Sequence, residues 1–387
     1  MQTNDGDAVH TLDVYSLGSN SRCQLGHPSA EDVYHPTLVD FATPIPPIPT
    51  RALGDIEIVS NGNHTLLRVD GVVYAAGDNT YGQCFVSPEI HGDVVRRFMK
   101  VQVIDWDADA WRVTHVAAGW EFSIAVVEND DQQRVYVAGY GLRGELGLGE
   151  GVLRSSRSND DGTTARQLPE FPPAGRRIVQ LVAGMSHALV LLNTGEVYGW
   201  GSARRGELGD GHRGVVALWT PRLISFTIDD NSAIPLSQVA CGRSFSCAID
   251  SRGRVIVLGG SKGHGNAMTV VPDASRVSTW TQLQSGWSTV HVLLASGEVV
   301  SWGSDTHGQR CPPGVRLSRM ACGSEHVVGI DATSGKVMAW GWSEHGNCGV
   351  QADAVREARA IDDACGTRRG RVVYVGAGCA TTWLVCT

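Results

Sequence analysis

The sequence predicts an all-β fold: a seven-bladed β-propeller in one domain over residues 1–387, its last blade closed by N- and C-terminal strands. Three observations predict it. Two short patterns alternate along the chain, seven copies of each; the step between them is nearly constant; and the chain opens on one pattern and closes on the other. A length of 387 residues would otherwise suggest two or three domains, but a repeat search takes precedence over division by length.

The first pattern is an apolar strand ending in Gly, followed by a turn. It reads VYSLGSNSRCQLG from Val14, VYAAGDNTYGQC from Val73, VYVAGYGLRGELGLG from Val135 and VYGWGSARRGELGDG from Val197. It returns as VIVLGGSKGHGN from Val255, VVSWGSDTHGQ from Val299 and VMAWGWSEHGNCG from Val337. A strand running into glycines suits a hairpin whose turn needs dihedrals closed to other residues. The second pattern is a small-residue strand with Gly three positions before His or a substitute: SNGNHTLL, AAGWEFSIAVV, VAGMSHALVLL, ACGRSFSCAI, QSGWSTVHVLL, ACGSEHVVGI and GAGCATTWLV. Small side chains fit strands that crowd together near a propeller axis. Asn61 stands where the other copies have Gly, and Asn tolerates positive φ better than other non-glycine residues.

Spacing joins the two patterns into a module. The pairs 61→77, 119→139, 184→201, 242→259, 286→303 and 323→341 stay close to one length, while the intervals between modules vary. Fixed units with variable connections are what repeated blades produce. The opening strand, Val14 to Leu17, and the closing one, Val375 to Val385, are each half a blade. Pairing them closes the ring and hides two strand edges. The variable connections, roughly 27–56, 86–112, 149–177, 210–236, 264–282 and 350–371, are read as rim loops. Pro44, Pro46, Pro47 and Pro49 make the first a stiff extended segment.

Composition narrows the function. The 47 glycines form no collagen triplet or linker and fit many tight turns. A formal net charge of −8 disfavours nucleic acid, whose binding rests on Lys and Arg at phosphates. The nearest basic cluster, Arg368, Arg369 and Arg371, reads as a solvated loop. The polar N-terminus lacks a secretory pattern, no apolar run reaches the roughly 20 residues of a membrane span, and ten scattered cysteines without C-x-x-C read as buried thiols. The expectation is a cytoplasmic and nuclear protein with no membrane and no direct nucleic-acid contact; the sequon at Asn63 then carries no meaning.

No catalytic or metal constellation emerges. His345 and Cys348 have a ligand-like spacing, but a tetrahedral site needs two more donors. The stretch 259–265, GGSKGHG, lacks the order of a phosphate-binding loop and falls where a hairpin belongs. Gly184-Met185-Ser186-His187 belongs to the second pattern and is no nucleophile elbow. The acid pairs Asp130/Asp131 and Asp362/Asp363 read as solvated loops. No enzyme activity, cofactor or bound metal is expected.

Over essentially its whole length the repeat resembles the regulator-of-chromosome-condensation family. Two stretches, GSEHVVGI…VMAWGWSEHGNCG from Gly323 to Gly349 and GAGCATTW from Gly376 to Trp383, resemble more specifically the fungal alpha-tubulin-suppressor, or killer-toxin-insensitivity, family. GNHT at Gly62, AAGWE at Ala117 and VYSLGSN add to that likeness. The resemblance implies a heterodimer with the small CSL-type zinc- or iron-binding electron carrier of diphthamide synthesis. It thereby implies a supporting role in diphthamide formation on elongation factor 2 and in Elongator-dependent modification of the tRNA wobble uridine.

The residues that follow the second-pattern Gly should lie near one rim: Gly62, Trp120, Met185, Arg243, Trp287, Ser324 and Cys379. Interface hot spots are enriched in Trp and Arg. Glu121, Glu325 and Glu344, with His326 and His345, would make that rim acidic and imidazole-rich. The expectation is that Trp120, Trp287, Trp342 and His345 meet the metalloprotein, with Glu121, Glu325, His326 and Glu344 around them. The plainer alternatives are packing between blades for the tryptophans and a structural hydrogen bond for His326, as at His64 and His187. A second function is guanine-nucleotide exchange on a small GTPase, as in the founding member of the superfamily; the acidic N-terminus speaks against that member's chromatin contact only. An enzyme working at the central channel is a third and lacks convergent acid–base residues.

Overall fold

The computed structural model describes residues 8–103, 111–130, 132–155, 164–212, 214–226, 235–260, 271–361 and 370–387. Arg368, Arg369, Asp131, Asp362, Asp363 and the stretch 261–265 lie outside them. Seven antiparallel sheets of three or four strands follow one another around an axis, and a small two-stranded sheet joins Val9–His10 to Ile48–Pro49. The innermost strands of the seven, Ile56–Asn61, Arg112–Ala118, Ile178–Ala183, Leu236–Cys241, Trp280–Ser285, Leu317–Cys322 and Val372–Ala377, define blades one to seven. Each second pattern is a hairpin rather than a single strand: its Gly follows the innermost strand, and its His or substitute starts the next.

That next strand explains the apolar runs. His64–Val69, His187–Leu192, Phe245–Asp250, Thr289–Leu294 and Thr381–Cys386 are buried at every residue. A blade is covered on both faces by its neighbours, so the in–out alternation of an ordinary surface strand disappears. In blade seven Trp383 and Val385 pack with blade one, while Leu384 and Cys386 pack with blade six. One hydrophobic cluster fills each of the seven blade junctions. Dispersed burial of this kind, rather than one central core, holds the ring.

Closure follows the expected form. Asp13–Gly18 pairs with Thr381–Cys386 through six registered residues, Asp13 opposite Cys386 and Gly18 opposite Thr381. The sheet therefore runs Val372–Ala377, Thr381–Cys386, Asp13–Gly18, Val33–Leu38.

Two expectations need correction. The variable connections are not only loops: five of them hold outermost strands, Val33–Leu38, Val94–Val101, Arg166–Gln167, Ala217–Ile224 and Ala352–Ala360. Blades four and five have three strands among the described residues. Asn61 is likewise not a positive-φ residue, nor are the glycines it replaces. Those glycines serve close approach: a Cβ on Gly286 would lie 2.9 Å from the Ser324 carbonyl oxygen of blade six. Asn61 instead spans its junction with a side chain, its Nδ2 donating to the Ala118 carbonyl at 3.3 Å. The first-pattern glycines do need positive φ. Gly341 sits at +111°, and a Cβ there would lie 2.5 Å from the Glu325 carbonyl oxygen.

Candidate functional site

The site is built on a ring of side chains that sequence reading passed over. Four positions before each second-pattern Gly stand Glu57, His115, Gln180, Gln238, Gln282, Arg319 and Tyr374. Each reaches the innermost strand of the following blade. Glu57 accepts from Val116 N (3.2 Å), Gln238 from Leu283 N (2.8 Å) and Gln282 from Met320 N (3.1 Å). Gln180 both accepts from Val239 N (2.8 Å) and donates to Val239 O (2.9 Å). His115 lies 3.3 Å from Val179 O, Arg319 lies over the Tyr374 ring at 4.5 Å, and the Tyr374 hydroxyl accepts from Ile58 N of blade one. The legible signal was a long hydrogen-bonding side chain at one register of every repeat. The innermost strands enclose a channel with a cavity volume of about 310 Å³.

One channel mouth is framed by the residues after the second-pattern Gly. Backbone bonds carry the frame from blade to blade: Trp120 N to Met185 O, Arg243 N to Trp287 O, Trp287 N to Ser324 O, Ser324 N to Gly378 O and Cys379 N to Ser60 O. Trp120 and Trp287 belong to blades two and five, which are not neighbours. Their rings nevertheless meet, centroids 5.9 Å apart and planes 48° apart. Contact between such blades must cross the axis, so the two half-buried indoles span the mouth. Packing between adjacent blades describes only part of this, because the Trp120–Trp287 contact joins blades that are not neighbours. The Arg243 guanidinium stands 5.4 Å from the Trp287 ring, a cation–π arrangement.

The rim around this mouth is polarised rather than uniformly acidic, which corrects the expected charge. On one side a cleft of about 240 Å³ is lined by Arg143, Arg204, Arg205 and Arg243 against Glu207. Glu207 is held by its own hairpin, accepting from the Ser202 hydroxyl and from Arg205 N. These arginines come from three blades and lie far apart in sequence, so no basic run announced them. On the other side Glu325 accepts from the Ser288 hydroxyl (3.0 Å) and from Gln309 Nε2. Glu344 is exposed. Burial raises the Glu121 carboxyl above its ordinary pKa, with Asp78 adding to the effect.

The other predicted residues divide. Trp342 and His345 pack edge to face, centroids 5.3 Å apart, in the outer hairpin of blade six. His345 Nδ1 lies 2.7 Å from Asp32 Oδ2, which ties that hairpin to blade seven. They form a separate group, linked to the mouth through Trp342 N donating to Glu325 O. His326 is corrected: it is 1% exposed and hydrogen-bonds Thr382 of blade seven at 2.8 Å, so it cannot face a partner. Burial lowers its pKa to about 4 and keeps it neutral. His64–Ser123 and His187–Ser246 repeat the arrangement at other junctions. Among the described residues no group of three His, Cys, Asp or Glu side chains is placed to hold a metal ion, and no helix is long and apolar enough to cross a membrane.

Comparisons with known proteins agree with this architecture. A profile of the RCC1-like domain matches residues 13–384. An RCC1 repeat-containing protein of Schizosaccharomyces pombe is 32% identical, over 96% of this chain and 98% of the relative. A secretion-regulating guanine nucleotide exchange factor of Bos taurus is 25% identical, over 96% and 83%. The crystal structure of Prp20p from Saccharomyces cerevisiae superposes with a TM-score of 0.75 at 20% identity, covering 98% of this chain and 92% of that one, a likeness of fold. With its seven closed sheets and a profile match along nearly the whole length, the chain belongs to the RCC1-like propeller family.

Proposed function

We propose that the chain docks another protein on the rim around the Trp120–Trp287 mouth, and that it promotes guanine-nucleotide exchange on a small GTPase. The observation that carries the docking reading is the pair of half-exposed indoles meeting across the axis beside Arg243. Large aromatic and Arg side chains dominate binding energy at protein interfaces. The exchange reading is supported by the bovine relative, which is named for that activity. Exchange needs no covalent chemistry. A factor that binds the nucleotide-free GTPase better than the loaded one shifts it toward release, and a rigid closed ring suits that task.

A second reading is docking of the small CSL-type metalloprotein, in support of diphthamide synthesis and Elongator. It rests on the likeness of Gly323–Gly349 and Gly376–Trp383, which fall in adjoining blades six and seven. The relatives' names support the first reading over this one.

Release of a fluorescent GDP analogue from a panel of small GTPases, with affinity capture and mass spectrometry beside it, separates the two. The expected result is accelerated release by one GTPase and its capture free of nucleotide. A Trp120→Ala/Trp287→Ala variant should lose at least tenfold in release rate while melting like the parent, the scale of hot-spot truncation. Capture of a small zinc protein with no effect on any GTPase would transfer the proposal to the second reading.

A further inference from the structure

The arginine cleft beside the mouth joins neighbouring blades only in part: Arg143 Nη1 donates to the Ser186 hydroxyl of blade three at 3.5 Å, and Arg243 lies over the Trp287 ring of blade five. Arg204, Arg205 and Arg243 are exposed and Arg143 is half-buried. Among the described residues lining the cleft the one carboxylate, Glu207, is engaged by its own hairpin. A chain with formal net charge −8 thus concentrates four guanidinium groups around about 240 Å³ of open space. A local field of that sign draws in negatively charged groups that the rest of the surface repels.

We propose that this cleft binds an acidic peptide segment of a protein partner: a run of Asp and Glu flanked by one large apolar side chain. The inference rests on the rim being the docking face and names what it recognises. Three features select this ligand. Arg143 comes from blade two, Arg204 and Arg205 from blade three, and Arg243 from blade four, so the positive groups follow the rim across three consecutive blades and suit an extended chain. Four guanidiniums exceed the roughly two charges of one phosphoryl group, whereas successive carboxylates can each take an Arg fork in bidentate geometry. Finally, Met185 lines the cleft, and Trp287 lies next to it under Arg243. This gives an apolar seat at one end for the flanking side chain.

The test uses the full chain and three fluorescein-labelled peptides read by fluorescence anisotropy. The first carries four alternating Asp and Glu residues followed by Phe, the second has Asn and Gln in their place, and the third has one phosphoserine and no other acid. The first should bind, weakening as salt rises, and the second should not. Arg204→Glu/Arg243→Glu should weaken the first by roughly 30-fold or more, as expected for loss of charge-paired interface contacts. Arg371→Glu, a reversal away from the cleft, should leave it unchanged. Should the double reversal fail to fold by circular dichroism, Arg204→Ala/Arg243→Ala replaces it with the same expected direction.

Equal binding of the neutral peptide, exclusive binding of the phosphoserine peptide, or full binding by the folded double variant would each overturn the proposal. No GTPase is present in this assay. Failure here alongside intact nucleotide release sinks only the acidic-segment inference; peptide binding without any release sinks only the exchange reading.

Discussion

Several histidines sit where water does not reach them. His64, His291 and His326 are fully enclosed, and burial lowers each pKa to about 4. At His326 the proton's place follows from its partner: the Thr382 hydroxyl donates to Asn347 O, so it accepts from His326 Nε2. In the unfolded chain these groups titrate near 6.5. The unfolded state therefore takes up protons first. The stability these neutral rings contribute is present above pH 6.5 and is lost as the pH drops from there toward 4, by about 1.4 kcal/mol per pH unit for each histidine. His326→Phe, which copies Phe122 and Phe245 at the same register, should remove one such contribution from urea unfolding compared at pH 7 and pH 5. An unchanged pH dependence would show that His326 is not protonated on unfolding. The sequence left His326 open between rim and core. The resolving feature is a hydroxyl one strand away in the next blade, at Thr382, Ser123 or Ser246, and a single repeat does not show it.

Among the elements, the strands that repeat were legible and those at the edge were not. Val14 to Leu17 and Val375 to Val385 announced their pairing because each is half of a pattern seen six more times whole. Val94–Val101 and Ala352–Ala360 carry several exposed charged positions, each pair with a single strand within their own sheet, and differ from blade to blade. Nothing in a repeat pattern requires them to be alike. The arginine cleft was hidden for the opposite reason, since its members are gathered by the ring and not by the chain. Deleting residues 8–38 should expose the Thr381–Cys386 edge, lower the melting temperature and promote association measured by light scattering, because an unpaired strand edge recruits other chains. Adding a peptide of residues 8–38 in trans should reverse the association. A monomeric deletion product of unchanged melting temperature would contradict the role given to this strand.

At the scale of the whole molecule, rigidity comes from seven links in one register, each pointing to the next blade. Gln180 makes the most complete of them, two bonds to Val239. Gln180→Leu should leave that N–H and carbonyl without partners and cost about 1–3 kcal/mol in denaturant unfolding. A smaller effect would mean that water in the channel replaces the side chain. The links also have a direction, and synthesis proceeds in the same one. Each new blade leaving the ribosome meets a predecessor already presenting its reaching side chain, so six links can form in the order of translation. The seventh runs backward, from Tyr374 to Ile58. Until Thr381–Cys386 is made, the hairpin of Asp13–Gly18 and Val33–Leu38 lacks its inner neighbour, and the nascent chain carries one open edge while the six blades between are synthesised.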